Sequence, residues 1–84
     1  MVTLLYFASL RELLDCSGET VALPAGTPTV GDLVERLRSR EGPWSEAFAL
    51  GQVWRVAVNR DMANLSTPLK PGDEIAFFPP VTGG

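Results

Sequence analysis

Between Thr29 and Gly42 the sequence carries one apolar stripe at helical spacing, and that stripe decides what the rest of the chain has to be. Val30, Leu33, Val34 and Leu37 recur at i, i+3, i+4 and i+7, while Glu35, Arg36, Arg38 and Arg40 are left to face water. Thr29 with Asp32 resembles a capping box in which the shorter acid replaces the usual Glu, and Gly42-Pro43 is the expected stop. A helix with one apolar side must cover another apolar layer. The segments flanking it therefore have to supply a sheet.

Most of them read that way. Met1 to Phe7 is rich in strand formers, and the period then changes to helical from Ala8 to Asp15, with Leu10, Leu13 and Leu14 on one side and Ser17-Gly18 as the expected stop. Glu19 to Leu23 alternates polar and apolar residues, and Pro24-Ala25-Gly26 turns the chain. Pro43 suits the first turn of a short helix running towards Leu50, in which Trp44 and Phe48 lie four apart. Trp54 to Val58 is a strand, Asn59-Arg60-Asp61 a turn and Met62 to Leu65 a weak return segment. Lys70-Pro71-Gly72-Asp73 has the signature of a type II turn before a last strand, Glu74 to Phe78. The expected fold is α+β: a ubiquitin-like β-grasp roll whose mixed sheet is covered on one face by helices, with its first and last strands pairing in parallel at the centre. Residues 1–78 form that domain and residues 79–84 an extended, flexible Gly-Gly tail.

Composition narrows the chemistry. A chain of 84 residues buries only about 60% of its unfolded surface, so a deep enclosed active site is not expected. There is no histidine, which removes the commonest general base and the commonest metal ligand together. Cys16 is the single cysteine, so neither an internal disulfide nor a thiolate zinc site can form within the chain. It is expected to be a small apolar filler at a helix end, because no cationic neighbour is apparent that would activate it. No bound metal or permanent cofactor is expected.

The same features point to a reducing cytoplasm. Val2 to Leu10 is apolar enough to resemble a signal sequence, but no Lys or Arg precedes it and Arg11-Glu12 follows. No apolar stretch approaches the roughly 20 residues that cross a bilayer. With net charge −3 and scattered basic residues, the chain lacks the footprint of a nucleic-acid binder.

The end of the chain reads Phe78-Pro79-Pro80-Val81-Thr82-Gly83-Gly84. Two prolines cannot donate ladder hydrogen bonds and favour an extended conformation, so the sheet ends there. At about 3.1 Å per residue, six such residues project a group about 20 Å from the domain. Gly83 and Gly84 lack Cβ atoms, so the main chain can thread a narrow channel and the last carbonyl stays open to attack. A free carboxylate is a poor acylating agent. Chemistry at Gly84 therefore requires activation, most simply as an acyl-adenylate made from ATP by a separate enzyme, since this chain has no phosphate-binding glycine loop. The activated carbonyl can then become a thiocarboxylate, a thioester or an amide, and the residues alone leave that choice open.

Three stretches carry a family resemblance: Leu5-Tyr6-Phe7-Ala8-Ser9-Leu10-Arg11-Glu12-Leu13, Val56-Ala57-Val58-Asn59-Arg60, and Gly72-Asp73-Glu74-Ile75-Ala76-Phe77-Phe78-Pro79-Pro80-Val81-Thr82-Gly83-Gly84. Over almost its full length the chain resembles the sulfur-carrying small subunits of molybdopterin synthases. The resemblance implies that an E1-like enzyme adenylates Gly84, that a sulfurtransferase-supplied sulfur replaces one carboxylate oxygen, and that the tail inserts into the large subunit of a heterotetramer of two small and two large subunits. There the thiocarboxylate delivers sulfur to a cyclic pyranopterin, the small subunit having no catalytic activity alone. Phe78, Pro79, Pro80, Val81 and Thr82 are then partner-binding, with Met62 and Arg11 as further contacts. Strand parity supports this for Phe78: if Ile75 and Phe77 face the core, Phe78 faces outward beside the tail. Competing expectations are a sulfur carrier for thiamine or tRNA thiolation, against which the Phe-Phe-Pro-Pro context argues, a ubiquitin-like modifier joined to lysines through Gly84, and a passive interaction module with an inert tail.

Overall fold

The computed structural model describes residues 1–23, 26 and 28–80. Its elements are β1 (Val2–Tyr6), α1 (Ala8–Leu14), β2 (Gly18–Val21), α2 (Val30–Arg38), α3 (Pro43–Ala47), β3 (Arg55–Val58), β4 (Asp61–Met62) and β5 (Glu74–Phe78). The strands form one sheet in the order β2-β1-β5-β3-β4. β1 and β5 run parallel, with Leu4 opposite Ile75 and Tyr6 opposite Phe77, and the other pairs are antiparallel. The first and last strands thus meet at the middle of the sheet, as the order of elements predicts.

Strand alternation sends Val2, Leu4, Tyr6, Val56, Ile75 and Phe77 to the helix side, where they meet Leu10 and Leu14 of α1 and all four stripe residues of α2. Phe77 is the hub, stacked on Tyr6 at 6.0 Å and edge-on to Phe48 at 5.1 Å and Trp54 at 5.5 Å. Such geometries add roughly 0.5–1.5 kcal/mol per pair to simple burial. The capping box is formed: the Asp32 N–H donates to Thr29 Oγ1 and the Thr29 N–H donates to Asp32 Oδ2. Asp is therefore long enough to reach back.

Several local expectations shift. α1 is ended by Asp15, which takes the left-handed conformation at φ 50, and not by Ser17-Gly18. Gly18 instead opens β2, where a Cβ would lie 2.9 Å from the Leu4 carbonyl oxygen and 3.0 Å from a Leu5 methyl. Close strand approach, not helix termination, requires that glycine. α2 stops at Arg38 before Gly42, α3 begins with Pro43 as expected but stops at Ala47 short of Leu50, and β3 begins at Arg55. Arg40 faces water only in part. It donates to Glu19 Oε2 at 2.8 Å and lies over the Trp44 ring.

Both turns before the last strands follow from their residues. Asn59 and Arg60 have φ 51 and 71, the signs of a two-residue type I′ hairpin, so Asp61 already belongs to β4. Gly72 takes φ 92 after Pro71, and the Asp73 N–H closes the turn on the Lys70 carbonyl at 3.2 Å. Asp73, only 4% exposed, latches the two turns together. Its carboxylate accepts from Asn59 Nδ2 and from the Lys70 N–H, each at 2.9 Å, while Asn59 Oδ1 accepts from the Glu74 N–H at 3.0 Å. Burial by itself pushes the Asp73 carboxyl up, but the Asn59 and Lys70 hydrogen bonds and the Lys70 charge together hold it below its ordinary value. The expected turn at Pro24-Ala25-Gly26 falls largely outside the described residues, as do Val81 to Gly84.

Candidate functional site

The helices lie on one side of the sheet, and the register defines the other side row by row. Across all five strands Met62 pairs with Ala57, Ala57 with Ala76, Ala76 with Leu5 and Leu5 with Gly18. Paired residues share a face. The row therefore runs along the uncovered surface, with only methyl groups at its centre, between Met62 and Leu5. The next row towards the end of β5 holds Arg55 opposite Phe78. Phe7, just past β1, is tied alongside by its N–H to the Phe77 carbonyl at 3.1 Å. Thr3 and Glu74, paired at the opposite end, give that end a polar character.

The apolar end of this face is the end from which the tail leaves. Phe78 is half-buried and Pro79 and Pro80 follow it outside the strand, also half-buried. Met62 is 66% exposed. Arg11 is exposed on α1, one turn from Phe7, whose carbonyl accepts its N–H at 3.3 Å. Phe78 and Met62 thus lie on one face of the sheet, with Pro79 and Pro80 next to Phe78 in the chain and Arg11 exposed on α1. Sequence reasoning missed Phe7, 44% exposed, along with Leu5 and Arg55. Parity gave the signal: Leu5 and Phe7 are out of phase with the buried Leu4 and Tyr6.

Among the described residues no three potential metal ligands cluster, and no buried side-chain nitrogen or oxygen lacks a hydrogen-bond partner. A part-buried polar cluster straps β1, β2 and α3 together: the Tyr6 hydroxyl donates to Glu19 at 2.9 Å and accepts from Trp44 Nε1 at 3.3 Å. Burial pushes the Tyr6 phenol far above its usual range, outweighing the opposing Trp44 bond, with Glu19 adding to the rise, so it stays protonated. Arg40 is raised chiefly by its Glu19 hydrogen bond, against partial burial, with the Glu19 charge adding to the rise. Cys16 is half-buried against the core, its thiol donating to the Gly18 carbonyl at 3.4 Å. Among the described residues no helix is long and apolar enough to cross a membrane.

A β-grasp roll with an open apolar face leading into a Pro-Pro segment has recognisable relatives. The ThiS family model matches residues 4–84. The chain belongs to the ThiS family. Within this family it is 40% identical to the molybdopterin synthase sulfur carrier subunit of Escherichia coli over 84 residues, covering 100% of both chains. In structure it is similar to SAMP1 from Haloferax volcanii, with TM-score 0.77, 31% identity and coverage of 99% of this chain and 98% of that one. It is also similar, with TM-score 0.66 and 31% identity over 99% of this chain and 97% of that one, to a chain in a complex of subunits 1 and 2 of the molybdopterin-converting factor from Helicobacter pylori. The mixed five-stranded sheet under its helices and the likeness to these solved structures bear out the ubiquitin-like β-grasp fold expected from the order of elements.

Proposed function

We propose that this chain is the sulfur carrier subunit of a molybdopterin synthase, with the carbonyl of Gly84 as its reacting centre. The observation that carries this is the end-to-end match to the Escherichia coli carrier subunit, which runs through the Phe-Phe-Pro-Pro-Val-Thr-Gly-Gly segment and includes Gly84. The geometry supports the division of labour it implies. Its open sheet face offers a docking surface at the root of the tail, where Phe78 leads into Pro79 and Pro80.

In this mechanism an E1-like enzyme joins the Gly84 carboxylate to the α-phosphate of ATP, and pyrophosphate leaves. The terminal sulfur of a sulfurtransferase-derived persulfide attacks the acyl-adenylate carbonyl and AMP departs with the electron pair of the broken C–O bond; a thiol then cleaves the S–S bond of the acyl disulfide, leaving the thiocarboxylate and a disulfide. Phe78, Met62 and Arg11 then hold the domain against the large subunit, while Pro79 to Gly83 lead the thiocarboxylate into it. There the sulfur passes to a cyclic pyranopterin, and water restores the carboxylate. Sulfurtransferase activity belongs to the assembled synthase, in the cytoplasm, with the small subunit as its sulfur-donating reagent.

Extending the chain by one residue beyond Gly84, or deleting Gly84, abolishes sulfur transfer and leaves thermal stability unchanged. The loaded state is read by intact mass, since replacing oxygen with sulfur adds about 16 Da. An extended, untrimmed protein that still supports molybdopterin formation refutes the mechanism. The likeness to SAMP1, which is named a small archaeal modifier protein, favours one second reading, conjugation of Gly84 to lysines. A ladder of heavier conjugates that disappears on Gly84 deletion distinguishes it.

A further inference from the structure

Beside the short β4 edge lies an open cleft of about 700 Å³, formed between α2, the segment joining α3 to β3, and the stretch after β4. The buried Val34 and Phe48 are among its lining, and around them apolar side chains alternate with polar ones such as Asp32, Gln52 and Asn64. Seven large apolar side chains are exposed among the described residues, and Leu50, Val53, Met62 and Leu65 all line this cleft. Leu50 is 86% exposed and Val53 69%. Isolated exposed leucines need no explanation, but a cluster around a concave surface marks an interaction site.

The cleft is continuous with the docking face. Met62 and Arg55 line the cleft and also lie in the two rows of the open face nearest the tail, Arg55 directly opposite Phe78. β4 is only two residues long, so a partner seated on the open face meets little backbone before reaching the cleft. On the α2 wall Arg38 pairs with Glu35. Those two charges offset each other, and the exposed Leu50, Val53, Met62 and Leu65 are the principal contacts the cleft offers.

We infer that this cleft is the outer half of the seat for the large synthase subunit, taking an apolar segment of that subunit around the β4 edge. The inference rests on the proposed carrier function. Two partners must take the tail in turn, and they differ in how long they hold it. A resident subunit requires a large apolar interface, with stable complexes burying about 1,200–2,000 Å² and obligate ones more. An activating enzyme must release its product every cycle, and an added apolar seat would slow that release. The surplus apolar area therefore suits the large subunit.

The test is the double variant Leu50→Asp with Val53→Asp in the full chain, titrated calorimetrically against the large subunit and assayed for adenylation by ATP–pyrophosphate exchange. The expected result is an affinity loss of about tenfold or more for the large subunit, with adenylation unchanged. Undiminished affinity overturns the inference, and so does an equal loss with both partners. If the variant unfolds, methyl shifts of the wild-type protein on adding the large subunit decide: movement of Leu50, Val53 and Leu65 supports the seat, and stationary signals overturn it. A dimer of the free chain in sedimentation that the double variant abolishes assigns the cleft to a second copy and also overturns it. Failure of the carrier function has a separate signature, in which a chain lacking Gly83 and Gly84 still completes sulfur transfer.

Discussion

Phe77 and Phe78 are adjacent in the chain and have opposite surroundings. Phe77 is fully buried against Tyr6, Phe48 and Trp54. Phe78 lies half-buried on the uncovered face, opposite Arg55 and at the root of the tail. The β pleat alone separates them. One strand therefore serves the stability of the domain on one side and its recognition on the other, and substitutions on the two sides should fail in different assays.

The largest effect belongs to the helix side. Phe77→Ala removes the ring that joins three other aromatics and should destabilise the fold by about 3–5 kcal/mol. That is a large fraction of the roughly 5–15 kcal/mol typical of small domains. Chemical denaturation measures it. A loss below about 1 kcal/mol would mean the core collapses around the gap, and the contrast between the two faces would weaken.

How much of this contrast was legible beforehand depends on the length scale of each signal. The α2 stripe, the capping box and the Lys70-Pro71-Gly72-Asp73 turn are written in residues within one or two turns of each other, and each forms as expected. Parity likewise placed Phe77 inside and Phe78 outside. Gly18 was misread because the requirement for glycine comes from Leu4 and Leu5 across the sheet, which no local window contains. Arg40 was misread for the same reason, its partner Glu19 being 21 positions away. The candidate site divides similarly. Phe78, Pro79 and Pro80 are visible as a motif, whereas the row from Met62 to Gly18 exists only once strand order and register are known.

A second, smaller effect sharpens the comparison by acting on neither face. Asp73 stands at the root of β5, and Asp73→Ala should cost about 1–3 kcal/mol because it leaves the Asn59 amide and the Lys70 N–H without their acceptor. Its pH dependence has a definite sign. The folded-state pKa lies below the ordinary carboxylate value, so Asp73 contributes its stability fully above about pH 4 and loses it as pH falls through the folded value. Unfolding free energies between about pH 7 and pH 2 should decline more steeply for the wild type than for Asp73→Asn. Parallel declines would assign the acid limb to other carboxylates.

The smallest effect on stability, and the most telling, is expected from Phe78→Ala. The side chain is half-buried on a surface that no helix covers, so its loss should cost about 1 kcal/mol or less, within the range of strand preference at such positions. Its loss from an interface is another matter, because an aromatic anchor at the centre of a docking surface commonly contributes 2 kcal/mol or more to binding. The variant should therefore unfold at nearly the wild-type midpoint while binding the large subunit at least about tenfold more weakly. Paired titrations and denaturation curves on Phe77→Ala and Phe78→Ala place the two numbers side by side. Should Phe78→Ala destabilise the domain as much as Phe77→Ala, the uncovered face would be part of the structural core, and the docking role assigned to it would have to move elsewhere.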